Sequence, residues 1–102
     1  MAESQRLVMV DSGSGPSCRT FVFKSESHTL GNALRAVILQ NPDVIFCGYS
    51  MPHPAEDQMH MRIQTVDGVD AQDALLQGLK DLKNITLHTK DVFKQASETF
   101  LN

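Results

Sequence analysis

The sequence predicts an α+β fold in which two helices cover one face of a small antiparallel sheet, in the order β-α-β-β-α. Three segments show the alternation or apolar composition of strands, and two others repeat apolar residues with a helical period. The chain has 102 residues, which is enough for one small domain. We expect that domain at residues 18–102. Residues 1–17 are predicted to form a flexible tail, because 11–17 are small, polar or turn-forming; a short strand in the first ten residues is an open alternative.

The three strands are predicted from side-chain alternation. Residues 18–25 alternate and place Phe21 and Phe23 on one face, which is typical of a strand. Residues 44–51 are apolar and aromatic, whereas residues 58–66 alternate strictly between apolar and polar side chains. A turn with two prolines separates these last two segments, so we expect them to form an antiparallel hairpin.

The first helix is predicted at residues 28–41. Apolar side chains recur there on one stripe, at Leu30, Ala33, Leu34, Val37 and Ile38. Ser27 or Thr29 can supply the N-cap oxygen, and Pro42 ends the helix. Gly31 costs about 1 kcal/mol relative to alanine. Two explanations are open: the close approach of another backbone, or a tolerated glycine near the helix end.

The second helix is predicted from about residue 69 or 70 to Phe100. Its stripe recurs every three or four residues, at Ala71, Leu75, Leu79, Leu82, Ile85 or Thr86, Thr89, Phe93, Ala96 and Phe100. Acidic residues at its start favourably meet the positive end of the helix dipole. A helix of about 30 residues is about 45 Å long, more than this sheet can cover. Its second half, residues 83–101, therefore needs an apolar partner.

Composition argues against several classes of function. The net charge is -3, with no basic surplus for direct contact with nucleic acid. No segment approaches the roughly 18 apolar residues of a membrane span. The cysteines and histidines lack the short spacings of metal sites, so we expect no metal and no cofactor. A Cys47–His53 enzyme is the catalytic alternative, and it requires a depressed thiol pKa. Since Cys47 lies within a strand, we expect no catalytic residue.

Three segments carry the most specific part of a family resemblance, and residues 41–44, 52–54, 73–75 and 78–82 continue it in the same order. Residues 28–35, His-Thr-Leu-Gly-Asn-Ala-Leu-Arg, closely resemble the α-motif of the RNA polymerase α family, which includes the bacterial α N-terminal domain and archaeal subunit L. Residues 46–49, Phe-Cys-Gly-Tyr, and 62–65, Arg-Ile-Gln-Thr, are similar to the small eukaryotic subunit shared by RNA polymerases I and III. The equivalent polymerase II subunit is the alternative. The resemblance covers about residues 18–96, and Ser27 departs from it where an acidic residue is common.

The resemblance implies a non-catalytic assembly subunit of the nucleus, including the nucleolus. Such a chain heterodimerises with a larger α-like subunit and nucleates docking of the large catalytic subunits. Only residues 50–57 occupy the place of the inserted domain of bacterial α, so this chain is expected to be the short partner. The α-motif implies that the large subunits are contacted by His28, Thr29, Asn32 and Arg35.

We expect the dimer interface to lie on the two helical stripes. The predicted interface residues are Leu34, Val37, Ile38, Leu75, Leu79, Leu82, Thr86, Thr89, Phe93 and Ala96. The first three are expected to face both the sheet and the partner. Thr86 and Thr89 either help to select the partner or lie at the edge of the interface. The isolated chain is a possible homodimer, and a free-standing homodimeric interaction module is a further alternative.

Overall fold

The computed structural model of the chain describes residues 6–11, 13, 15–52 and 55–101. The α+β prediction is confirmed, with one more strand than expected. The elements are β1 (Leu7–Asp11), β2 (Cys18–Lys24), α1 (His28–Ile38), β3 (Val44–Ser50), β4 (Gln58–Thr65) and α2 (Ala71–Leu101). The strands form an antiparallel sheet in the order β1-β2-β4-β3. Both helices pack against the same face of this sheet.

Strand β1 lies within the segment that was predicted to be a flexible tail, so that prediction is wrong for residues 7–11. The strand runs antiparallel to β2, with Leu7 opposite Phe23 and Met9 opposite Phe21. Leu7 and Met9 also border an apolar groove beside Phe21 and Leu75, which extends the covered face of the sheet. Every residue from 7 to 10 is apolar, so the alternation that marks a half-exposed strand is missing. Residues 1–5, 12 and 14 lie outside the described part of the chain.

The predicted hairpin is confirmed as β3 and β4. Cys47 pairs with Ile63, and a bulge interrupts the register between Val44 and Phe46. The inner face of β4 presents Met59, Met61 and Ile63, all fully buried beneath the helices. Burying a side chain of this size contributes about 1.5–3 kcal/mol, so this strand supplies much of the apolar core.

Helix α1 begins at His28 as predicted, but its N-cap and its C-terminal end differ from the prediction. Ser27 is the N-cap residue, but its hydroxyl makes no capping hydrogen bond to the first turn of the helix. The helix ends at Ile38, and the amides of Leu39 and Gln40 close it by donating to carbonyls of its last turns. A Cβ on Gly31 would lie 2.7 Å from Met59 Sδ and 2.8 Å from the Tyr49 ring. Close approach therefore explains this glycine, although side chains rather than another backbone approach it.

Helix α2 begins after an aspartate cap, because the Gln72 amide donates to Asp70 Oδ1 at 2.9 Å. Its first two turns bury Ala71, Ala74, Leu75 and Gly78 against the sheet and α1. From residue 83 onward, every described side chain except Ser97 is exposed. This half-helix of about 28 Å therefore projects beyond the core, as its length predicted.

Candidate dimerisation and docking surfaces

The projecting half of α2 carries an exposed apolar stripe. Ile85 is 52% exposed and Phe93 is 73% exposed, on the same side of the helix. Together with Thr86, Thr89 and Lys90 they line an open depression of about 550 Å³. A helix of this kind gains most of its stability from packing, so its apolar stripe marks a contact surface.

The two threonines in this depression are compatible with an apolar contact. Thr86 Oγ1 donates to the Leu82 carbonyl at 2.8 Å, and Thr89 Oγ1 donates to the Ile85 carbonyl at 2.8 Å. Because each hydroxyl proton is used within the helix, burying these side chains leaves no donor unsatisfied. Thr86 and Thr89 therefore need no polar group from a partner.

A second open groove lies where α1 and α2 cross. It has a volume of about 400 Å³ and is lined by Ala36, Val37, Gln40, Asp81 and Ile85. Ile85 borders both the groove and the depression, so the two form one continuous surface. We call this surface the pairing face; it comprises Ala36, Val37, Gln40, Asp81, Ile85, Thr86, Thr89, Lys90 and Phe93.

The structure divides the predicted interface residues into two groups. Leu34, Ile38 and Leu75 are at most 1% exposed within the chain itself. Their assignment to a partner-facing surface is wrong, because they hold the two helices to each other and to the sheet. The remaining predicted residues are half-buried or exposed: Val37, Leu79, Leu82, Thr86, Thr89, Phe93 and Ala96.

The predicted interface lacked five residues of the pairing face: Ala36, Gln40, Asp81, Ile85 and Lys90. Ile85 is the most apolar of them. The helical stripe allowed either Ile85 or Thr86 at this point, because positions 85 and 86 flank the line of a 3.6-residue repeat. Both side chains line the depression. The sequence signal for Ile85 was an apolar residue four positions before Thr89, on the same side of the helix.

Two of the α-motif residues, His28 and Asn32, contact Tyr49 of β3. The Tyr49 hydroxyl donates to Asn32 Oδ1 at 2.9 Å, and His28 Nδ1 lies 3.0 Å from the Tyr49 hydroxyl oxygen. Because the single hydroxyl proton is donated to Asn32, the hydroxyl oxygen can only accept from His28. His28 makes this hydrogen bond in the tautomer whose Nδ1 carries the proton. His28, Thr29 and Asn32 are all exposed. The tyrosine thus fixes two of the predicted docking residues while leaving them accessible.

Arg35 links α1 to the edge strand β3. Its Nε donates to the Cys47 carbonyl at 3.0 Å. Within the described residues its two terminal nitrogens have no hydrogen-bond partner. The guanidinium is therefore held at one nitrogen and can bind a carboxylate or carbonyl of another protein with the others.

The Cys47 thiol lacks the properties of a nucleophile. Cys47 is 2% exposed, and burial raises the pKa of its thiol to about 11, although the Arg35 charge lowers the pKa in part. The enzyme alternative required a depressed pKa, so it is wrong for this residue. His53, its proposed partner, lies outside the described residues.

The residues that the structure describes include no group of three or more His, Cys, Asp or Glu side chains that could hold a metal ion. Their helices include none that is long and apolar enough to cross a membrane.

A compact sheet domain with an overhanging apolar helix and a continuous exposed face defines a protein-dimerisation module. Comparison with known families agrees, since the RNA polymerase Rpb3/Rpb11 dimerisation domain matches residues 18–92. The chain belongs to this family.

Relatives in the family come from distant eukaryotes. The chain is 52% identical over 81 residues to DNA-directed RNA polymerases I and III subunit rpc19 of Dictyostelium discoideum, covering 79% of this chain and 70% of that protein. It is 44% identical over 88 residues to subunit RPAC2 of RNA polymerases I and III of Danio rerio, covering 86% and 79%. The chain is thus a homologue of the rpc19 and RPAC2 subunits.

A solved structure shows the same fold. DNA-directed RNA polymerase subunit L of Thermoplasma acidophilum superposes with a TM-score of 0.76 over 97% of this chain and 94% of that chain. The two sequences are 20% identical, so this similarity concerns the fold alone.

Proposed function

We propose that the chain is the small α-like subunit of RNA polymerases I and III, a non-catalytic subunit. In this role it pairs with a larger α-like subunit, and the pair nucleates docking of the large catalytic subunits. Its place of action is the nucleus, including the nucleolus. The pairing face carries this proposal, because half of α2 has no core of its own to cover.

The energetics favour a partner helix on this face. Fully burying side chains such as Ile85 and Phe93 contributes about 1.5–3 kcal/mol each, and both are mostly exposed in the single chain. Association also costs several kcal/mol of lost freedom, so two side chains alone do not hold a dimer. The continuous surface from Val37 to Phe93 provides the additional area.

Pairing and docking use different sides of α1. With about 100° between successive helical residues, His28, Asn32 and Arg35 project from one side. Ala36 projects from a neighbouring side, towards the groove, and Gln40 lines the same groove just beyond the helix end. A partner on the pairing face therefore leaves the α-motif residues accessible, so a large subunit can bind there at the same time.

A matched pair of substitutions tests the pairing face. Ile85 is 52% exposed and Leu87 is 53% exposed, yet their side chains lie about 200° apart around the same helix. Each variant, Ile85→Ala and Leu87→Ala, is co-expressed with the larger α-like subunit of the same organism, and co-purification is quantified. We expect Ile85→Ala to reduce recovery of the larger subunit severalfold more than Leu87→Ala does.

Two outcomes would count against the proposal. Equal recovery with both variants would show that the pairing face is placed on the wrong side of α2. Failure of the wild-type chain to recover the larger subunit would remove the proposed partner itself.

A further inference from the structure

Asp81 is an unexpected residue at the groove between α1 and α2. Its half-buried side chain lies beside Ala36, Val37 and Ile85, which offer only hydrocarbon. Gln40 also lines the groove, but it makes no hydrogen bond to Asp81 among the described residues. Gln77 Nε2 donates to Asp81 Oδ1 at 2.9 Å. Polar groups on an otherwise apolar contact surface lose stability unless they are paired, so this carboxylate calls for a partner.

No basic side chain of the described chain pairs with Asp81. The ion pairs found there are Arg6–Glu26 and Arg19–Asp70. The neighbours of Asp81 three and four positions away on α2 are uncharged: Gln77, Gly78, Asn84 and Ile85. The arginine in the last turn of α1 is Arg35, whose Nε is bound to the Cys47 carbonyl.

The end of α1 adds to the negative potential of the groove. Helix α1 ends at Ile38; Ala36 and Val37 of its final turn and Gln40 just beyond its end line the groove. The carbonyl end of a helix carries about half a negative charge. The Asp81 carboxylate and the C-terminal end of α1 therefore both favour a cation. The apolar side chains of the groove suit the aliphatic stem of a long basic side chain.

We propose that this groove receives an arginine or lysine side chain from the larger α-like subunit, with its stem on Ala36, Val37 and Ile85 and its charge at Asp81. This inference rests on the proposed heterodimer and adds a requirement on the partner. The helix of the larger subunit that packs on the pairing face must carry a basic residue close to the point where α1 and α2 cross. The charge pair selects and aligns the partner, because an apolar side chain in the groove would leave the carboxylate unpaired.

Asp91 provides a matched control for Asp81. It lies on the same helix, and Gln95 Nε2 donates to its Oδ2 at 3.2 Å, an amide-to-carboxylate contact of the same kind. Asp91 is exposed and borders neither the groove nor the depression. Asp91→Asn therefore removes the same charge from the same helix without touching the groove.

The test is a competition for a limited amount of partner. Wild-type and variant chains with different tags are co-expressed with a limiting amount of the larger α-like subunit. The ratio of the two tags in the purified heterodimer then gives the relative affinity. We expect Asp81→Asn to be under-represented about tenfold, Asp81→Glu to recover most of the loss, and Asp91→Asn to compete equally.

Salt dependence separates a charge pair from a merely structural effect. The disadvantage of Asp81→Asn is expected to shrink as salt rises, because ions screen the lost attraction. Equal competition by Asp81→Asn, or a loss that salt does not change, would overturn the inference while the heterodimer itself still forms. Absence of any heterodimer with the wild-type chain would instead refute the proposed function, and this inference with it.

Discussion

Gly78 lies where α2 crosses α1, and replacing it by alanine sets two effects of known size against each other. In a helix interior, alanine is more favourable than glycine by about 1 kcal/mol. A Cβ at this position, however, would lie 2.5 Å from Ile38 Cγ1. Carbon atoms pack best at about 3.5–4.0 Å, so one of the two helices would have to move by about 1 Å.

Ile38 cannot yield easily. It is branched at Cβ, which restricts its χ1 angle, and its side chain is buried between α1, α2 and the sheet. Overpacking of this kind costs about 1–3 kcal/mol, which exceeds the gain in helix propensity. We therefore expect Gly78→Ala to lose about 1 kcal/mol in the free energy of unfolding, with a fall in Tm of about 4–8 °C.

Urea unfolding followed by circular dichroism measures this change. Asn84→Ala is the control, because residue 84 is exposed on the same helix and the substitution changes propensity without a clash. The reasoning would be refuted if Gly78→Ala were more stable than the wild-type chain by the same or a larger amount than Asn84→Ala.

Two further predictions concern Phe93 and Cys47. Phe93→Ala should weaken co-purification with the larger α-like subunit more than Arg35→Ala does, since Phe93 lines the pairing face whereas Arg35 contacts β3; equal recovery would contradict this. Because burial raises the pKa of Cys47 to about 11, above about 8.5 for a free thiol, the unfolded chain loses this proton first. The contribution of Cys47 to stability should therefore be complete below about pH 8.5 and decline as pH rises towards 11, by an amount on the order of 3 kcal/mol. Denaturant midpoints across this range should fall more steeply for the wild-type chain than for Cys47→Ala, and parallel curves would refute the assignment.

Periodicity predicted most of the fold correctly, because most elements bury one face and expose the other. The strict alternation from Gln58 to Thr65 and the stripe of α1 both became layers of the core. Strand β1 failed this rule, since its four consecutive apolar residues have no polar face. Its position depends on pairing with β2, a long-range contact that local pattern does not encode.

The candidate site was predicted only in part, for a related reason. A helical stripe shows which residues are apolar, but it does not show where the core ends and a partner begins. Leu75 and Phe93 lie on the same stripe, yet one is buried in the core and the other is mostly exposed. Asp81 gave no signal in the sequence, because its significance depends on the groove that α1 forms beside it.

The most direct test of the central claim is affinity purification of the tagged chain from nuclear extract, with every co-purifying protein identified by mass spectrometry. The account predicts recovery of a larger α-like subunit together with the large subunits of RNA polymerases I and III, and reduced recovery of all of them with Ile85→Ala. Recovery of polymerase II subunits instead would contradict the assigned class, and recovery of no polymerase subunit would contradict the account as a whole.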